Sequence, residues 1–239
     1  MIFSRLTECF EKLERTSSRN VMISILAELF KESTISDIDK ICYFSVDRIA
    51  AGYKDVQLGI GDEMAKSAIA LAASADIQKV EEEFKEIGDL GEVAYRLIGA
   101  REKRFEEFFK FGEALSVEDV YRGLKKIVTV RGSGSQEVKK KTLAAMLSAA
   151  TPTERRYIAR LTTVEMRLGV GDMTLLDALA ITFLEPIAQM EKVERKLTVQ
   201  FSVKDVEIDE VQRGFIMDDF ESFAEDTKKL WNLAHFSFT

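Results

Sequence analysis

The sequence predicts an all-α protein built from two related helical halves. Apolar residues recur at three- and four-residue steps through most of the chain, and only two prolines occur in 239 residues. A five-residue motif also appears twice, 110 residues apart, each time before an alanine-rich helical pattern. We therefore expect a single domain over 1–239, two-lobed, whose halves (about 1–112 and 113–239) are related by a pseudo-twofold axis.

Individual helices follow from apolar spacing and capping residues. The first two apolar faces comprise Phe3, Leu6, Phe10 and Leu13, and then Val21, Ile25, Leu26, Leu29 and Phe30. Ser116 precedes an acidic turn and an apolar face, and is therefore predicted to cap a helix. Thr151-Pro152 is a second predicted start, because proline is tolerated in the first turn. Asp62 and Asp172, each after a glycine, are predicted N-caps.

The repeat is the most informative pattern within the chain. Leu58 to Asp62 recurs as Leu168 to Asp172. Upstream, the apolar pattern of 21–30 matches that of 138–147, and Ile41 matches Ile158. Downstream, 88–94 has a weaker echo in 218–224. Three matches in the same order favour duplication over chance.

One segment departs from the helical pattern. Apolar and polar residues alternate through 197–203, which is strand periodicity. We expect either a short hairpin or an irregular connection there.

Charge is unevenly distributed on a chain whose net charge is −7. The segment 122–141 contains seven basic residues against Glu137 alone, and a second basic group comprises Arg155, Arg156, Arg160 and Arg167. A basic face on an acidic protein is typical of a phosphate-binding surface. An ordinary solvated helix surface explains the same charges equally well.

The sequence lacks the residues that several classes of function require. Cys9 and Cys42 are too few for a disulfide framework or a zinc site, and both lie in apolar helical patterns that favour core packing. His235 is the only histidine, so we predict neither a catalytic triad nor a metal site. No apolar run approaches the roughly 18 residues of a membrane span, and no signal peptide is recognisable. We expect an intracellular protein.

Three glycine-containing turns are candidate phosphate contacts. The loop Gly132-Ser133-Gly134-Ser135-Gln136 lies inside the basic segment, with Lys139 and Lys140 one turn later and Ser135 as a possible helix cap. Glycines permit close backbone approach, and helix starts favour anions. The two repeat turns contain Gly59 and Gly61, and Gly169 and Gly171. Simple packing turns are the alternative at all three places.

The order of these motifs resembles the N-terminal DNA-binding domain of archaeal and eukaryotic replicative ATP-dependent DNA ligases, most closely the archaeal branch. The stretches that carry the resemblance span roughly residues 3 to 230 and are 13–19, 58–62 with 66–70, 88–94, 115–121, 132–136, 157–160, and 166–172 continuing into 175–180. The resemblance implies an all-helical domain that binds the minor groove of nicked duplex DNA mainly through phosphates, without sequence specificity.

The resemblance also implies specific contact residues. Phosphate contacts are expected from the following loop residues: Gly59, Gly61, Gly132, Ser133, Gly134, Ser135, Gln136, Arg167, Leu168, Gly169 and Gly171. Three lysines are expected to bind DNA as supporting charges: Lys66, Lys139 and Lys140. Family members use paired phenylalanines to contact the sliding clamp, and Phe108 and Phe109 occupy that place. Helix packing is the alternative for this pair.

Ligation itself requires more than this chain contains. In the family an adenylation domain follows, with a KxDG lysine that takes AMP, and no KxDG occurs here. ATP and Mg²⁺ are therefore expected to belong to a catalytic domain outside this chain. The chain itself is expected to be inactive alone and monomeric. The alternative function is a non-catalytic helical scaffold for protein partners, derived from the ligase domain.

Overall fold

A computed structural model describes residues 1–50, 56, 60–105, 114–184, 202–203 and 206–207. Within these residues the fold is helical, as the sequence predicts. The helices are α1 (Phe3–Glu14), α2 (Arg19–Glu32), α3 (Ile38–Ser45), α4 (Asp62–Ala73), α5 (Ile77–Ile87), α6 (Leu90–Phe105), α7 (Val117–Thr129), α8 (Ser135–Ala149), α9 (Pro152–Thr163) and α10 (Asp172–Leu184).

One short antiparallel pair accompanies the helices. Strand β1 (Ser202–Val203) pairs with β2 (Val206–Glu207), with Ser202 opposite Glu207 and Val203 opposite Val206. The hairpin interpretation of 197–203 is therefore confirmed at its last two residues. Residues 197–201 lie outside the described part.

The predicted apolar faces form the core. Phe3, Leu6, Phe10 and Leu13 of α1 are fully buried, and the Phe10 ring packs edge-on against Tyr157 with centroids 5.3 Å apart. Both cysteines are buried, which confirms their predicted core packing. The second helix differs from expectation at one end. Val21 is exposed, whereas Met22 and Ile23 are buried. The predicted apolar face of α2 is therefore wrong at its first residue and confirmed at Leu26, Leu29 and Phe30.

The equivalent helices of the two halves pack on each other reciprocally. The repeat relates α2 to α8 and α4 to α10, and α2 packs against α10 while α4 packs against α8. In the same way α1 contacts α9, and α3 contacts α7. A twofold relation between the halves would produce this exchange of contacts. The proposed boundary near residue 112 lies outside the described residues and stays a prediction.

Helices α6 and α9 approach each other closely at a glycine. A Cβ added to Gly91 on α6 would lie 2.6 Å from the backbone oxygen of Arg156 on α9. We expect Gly91→Ala to lower the free energy of unfolding by about 2–3 kcal/mol, because two backbones must separate. Gly123→Ala is the control, since its Cβ would meet only the flexible side chain of Met146. Urea unfolding measures both, and equal losses would contradict this explanation.

Helix α9 ends at a strained residue. Val164 has φ 59° and ψ 46°, the left-handed conformation, and its side chain is exposed. A β-branched residue is disfavoured there, whereas glycine is the common choice. We expect Val164→Gly to stabilise the protein by about 1 kcal/mol. Val130→Gly, at a helix end with φ −67°, should instead be neutral or destabilising. Thermal melts of both variants provide the comparison.

Candidate nucleic-acid interface

The glycine loop before α8 is exposed and left-handed at two positions. Gly132 has φ +91° and Gly134 has φ +80°, and no atom lies within 4 Å of an added Cβ at either residue. The backbone N–H of Ser135 donates to the Gly132 oxygen at 3.2 Å, closing a turn. The helix begins at Ser135 itself, so Gly134 is the cap residue and the predicted capping by Ser135 is wrong. The left-handed glycine allows the chain to enter the helix one residue earlier than expected.

The lysines after this loop differ from one another. Lys140 and Lys141 form ion pairs with Glu137, at 2.6 and 3.4 Å. Lys139, in contrast, is only 6% exposed. A phosphate contact by Lys139 would require its side chain to leave this packing, and its predicted role stays a prediction. Lys140 can exchange Glu137 for a phosphate without disturbing the core.

Further cations surround the same loop. Lys125 and Lys126 on the last turns of α7, and Arg131 in the loop, are exposed. Within the described part of the chain, no ion pair involves any of the three. Their positive charges are therefore available to an external anion. The capped start of α7 lies at the other end of that helix, where Ser116 is the predicted N-cap and forms a capping box with Asp119.

The first repeat turn leads into α4. Gly61 caps the helix and Asp62 is its first residue, so the predicted N-cap is one residue too late. Lys66 donates to Glu63 at 2.6 Å, a contact that raises the pKa of the lysine, and its ammonium lies 4.8 Å from the centroid of the Phe84 ring. Gly59 lies outside the described residues.

The second repeat turn contains the most unusual conformation of the candidate site. Arg167 has φ 59° and Gly169 has φ 67°, both left-handed. Leu168 between them is buried in the core, so any contact it makes to a ligand must come from its backbone. Asp172 is the first residue of α10 rather than its predicted cap, and its carboxylate pairs with Arg48 at 3.4 Å.

Hydrogen bonds place the starts of α2 and α10 side by side. Arg19 Nη2, at the start of α2, donates to the Met173 oxygen at 3.2 Å, and Thr182 donates to the Ala27 oxygen near the other ends of the two helices. The two helices therefore run in the same direction. The twofold relation predicts the same arrangement for α8 and α4, which would bring the Gly132–Gln136 loop beside the Gly61 turn.

The second basic group turns out to be mainly internal. Arg155 is buried and donates to the Leu147 oxygen at 2.8 Å. Arg156 pairs with Glu11 of α1 and Glu92 of α6, at 3.2 and 3.1 Å. The interpretation of this group as a basic surface is therefore wrong for Arg155 and Arg156, and also for Arg160.

Arg160 is the centre of an ion-pair cluster that joins three helices. It donates to Asp89 at 2.6 Å and also binds Glu14. Burial alone would raise the pKa of Asp89, but the hydrogen bonds and charge of Arg160 outweigh burial and hold that pKa below its ordinary value. Sequence reasoning missed this cluster, because the acids lie far from the arginines along the chain.

The start of α2 was also missed. The offset of 117 residues that relates Val21 to Val138 relates Ser18 to Ser135 and Arg19 to Gln136. That offset was visible in the sequence and would have added Ser18 and Arg19 to the candidate residues. Phe108 and Phe109 lie outside the described residues, and their contact with a clamp stays a prediction.

Two kinds of feature are absent from the described residues. No helix among them is both long and apolar enough to cross a membrane. In the same residues no group of three or more histidine, cysteine, aspartate or glutamate side chains could bind a metal ion.

Comparison with known proteins agrees with the motifs. The sequence model of the family described as "DNA ligase N terminus" matches residues 2–180. The chain is 38% identical over 199 residues to DNA ligase 2 of Korarchaeum cryptofilum, covering 83% of this chain and 33% of that ligase. It is 39% identical over 199 residues to DNA ligase 2 of Thermofilum pendens, with coverages of 82% and 33%. A probable DNA ligase of Aquifex aeolicus is 39% identical over 196 residues, with coverages of 82% and 32%.

The lengths of these relatives and the matched region determine the family assignment. The chain spans about a third of the length of each of the three ligases, as the coverages of 32–33% state. The matched region contains all ten described helices except the last residues of α10. With an all-α fold and a family match over most of its length, the chain belongs to the DNA ligase N-terminal domain family.

Proposed function

We propose that this chain binds nicked duplex DNA without sequence preference, through phosphate contacts, as the DNA-binding part of an ATP-dependent DNA ligase in replication and repair. The observation that carries the proposal is Arg167. It is an arginine in a left-handed conformation, 52% exposed at the side chain, immediately before the turn that starts α10. Unfavourable backbone conformations of non-glycine residues concentrate at functional sites. A solvated guanidinium at a helix start is well suited to a phosphate.

Three further features support phosphate binding. The Gly132–Gln136 loop is exposed and open, so a phosphate can approach its backbone closely. Lys125, Lys126 and Arg131 add positive charge beside it. The paired starts of α2 and α10 suggest a second contact region, with Ser18 and Arg19 next to the Arg167 turn. Two such regions, related by the twofold, suit the two strands of a duplex.

The proposal extends to partners outside this chain. ATP and Mg²⁺ act in the catalytic region of the ligase, and this chain binds the DNA. A sliding clamp is a proposed partner through Phe108 and Phe109. We propose a monomer that acts at the nucleoid.

The test is fluorescence-anisotropy binding to a short nicked duplex over a salt series. We expect the logarithm of the association constant to fall linearly with the logarithm of the salt concentration, with a slope of about −0.9 per phosphate neutralised. Duplexes of unrelated sequence should bind equally, because phosphates carry no sequence information. Absence of binding at low salt by the folded protein would overturn the proposal and favour the protein-interaction scaffold.

A further inference from the structure

We propose that Asp89 is a positioning residue that presents the Arg167 guanidinium to DNA phosphate, and that Glu165 competes with the phosphate for the same guanidinium. This inference rests on the proposed function, in which Arg167 contacts the DNA. It assigns opposite roles to two carboxylates that bind one arginine.

Asp89 is a rigid acceptor. Its side chain is buried and accepts the backbone N–H groups of Gly91 at 2.8 Å and Glu92 at 3.2 Å, at the start of α6. Arg160 of α9 adds Nη2 at 2.6 Å and Nε at 3.1 Å. Four donors from two helices therefore fix the carboxylate, and a phosphate cannot displace it.

Arg167 lies against this fixed acceptor. Its Nη1 is 3.6 Å from the Asp89 Oδ2 atom, and its Nη2 donates to the Gly88 oxygen at 3.3 Å. The guanidinium has five N–H donors in a rigid plane, so these contacts orient the plane and leave donors unused. Half of the side chain remains exposed to an incoming ligand. Because the Arg167 side chain is already oriented before DNA binds, it loses less conformational entropy when it contacts a phosphate.

Glu165 differs from Asp89 in every respect that matters for displacement. It is two residues from Arg167, half exposed, and accepts from Nη2 at 3.2 Å. An exposed ion pair of this kind is weak. The oxygens of a phosphate are stronger acceptors for the same guanidinium. The negative charge of the Glu165 carboxylate repels that phosphate. Binding of DNA therefore requires Glu165 to move away, while Asp89 stays in place.

The experiment is a pair of double-mutant cycles on DNA affinity. Asp89→Asn and Glu165→Gln are each measured in the wild-type background and in Arg167→Ala, by anisotropy with a nicked duplex. We expect Asp89→Asn to weaken binding by about fivefold or more and Glu165→Gln to strengthen it by about two- to threefold. Both effects should vanish when Arg167 is alanine. Glu82→Gln, on the exposed face of α5, controls for the change in net charge.

Two variants separate positioning from folding. Asparagine at 89 can still accept from the α6 backbone, and thermal melts establish that each variant is folded at the assay temperature. Arg5→Met breaks an ion pair that includes neither Asp89 nor Arg167, so its DNA affinity should match wild type even if its melting temperature falls. Arg167→Lys, at a half-exposed position, keeps the charge but replaces the planar guanidinium with a compact ammonium, which cannot reproduce the oriented contacts to Asp89 and the Gly88 oxygen. It should recover little of the affinity lost in Arg167→Ala.

The outcomes distinguish the phosphate contact of Arg167 from the positioning role of Asp89. If Arg167→Ala leaves affinity unchanged, the proposed phosphate contact itself is wrong. If Arg167→Ala weakens binding while Asp89→Asn has the same effect in both backgrounds, only the positioning role is wrong. Wild-type affinity in Arg167→Lys, or weaker binding in Glu165→Gln, would also overturn the inference and leave the proposed function intact.

Discussion

Replacement of Gly134 by aspartate together with Arg167 by glutamate is expected to reduce affinity for nicked DNA at least about 100-fold at low salt. Each change puts a carboxylate at a proposed phosphate contact, one in each of the two proposed contact regions. The fold should survive, because aspartate tolerates a left-handed backbone better than most residues and no atom lies within 4 Å of the new Cβ. Arg167 is half exposed. Anisotropy over a salt series should also show a shallower slope.

Matched controls isolate the electrostatic effect of this double variant. Gly134→Asn has the same shape and backbone cost without the charge, and should retain most of the affinity. Arg96→Glu reverses a charge of similar exposure (50% at the side chain) on α6, where it pairs with Glu92. Strong binding by the double variant, or equal loss in Arg96→Glu, would show that these two turns are not the contact region.

Arg160→Met is expected to have the largest effect on stability, lowering the free energy of unfolding by about 3–5 kcal/mol at neutral pH. Methionine approximates the length of the arginine stem, but removes the cation that Asp89 and Glu14 share and leaves Asp89 only the longer contact to Arg167 at 3.6 Å. Arg160 is 9% exposed at the side chain, so solvent cannot replace the lost partner. Urea unfolding followed by circular dichroism measures the loss.

The effect of Arg160→Met should depend on pH in a defined direction. The wild-type pKa of Asp89 is lowered, so its ionised form stabilises the fold above the ordinary aspartate pKa of about 3.9. That contribution is lost as pH falls through the lowered pKa. In the variant, Asp89 stays buried and loses the hydrogen bonds and charge of Arg160, so its pKa should rise above the wild-type value. Asp89 is then protonated at higher pH in the variant, and the difference in stability from wild type should shrink below about pH 4.

A surface pair provides the control for Arg160. Arg5 pairs with Glu32 at 2.7 Å, with side-chain exposures of 28% and 48%. We expect Arg5→Met to lower stability by less than about 1 kcal/mol. A loss in Arg160→Met no greater than that in Arg5→Met would contradict the assignment of the Arg160 cluster as a structural junction between α1, α6 and α9.

Local patterns determined much of this protein from the sequence alone. The periodic apolar faces of α1 and α7, the capping box at Ser116 and the proline start of α9 depend on residues within one or two turns. Each was predicted correctly for that reason. The repeat and the ordered motifs also identified the family. The helix starts at Asp62, Ser135 and Asp172 were displaced by one residue, because the preceding glycines adopt the cap position.

The tertiary structure alone decided which charges face solvent. Arg156 and Arg160 read as a basic surface in the sequence, but acids from α1 and α6 neutralise them inside the fold. Lys139 is buried, whereas Val21 is exposed. Burial of a side chain depends on helices distant in sequence, and periodicity along one helix cannot specify which neighbour covers it. For the same reason, only packing placed Arg19 beside α10 and Asp89 against Arg167.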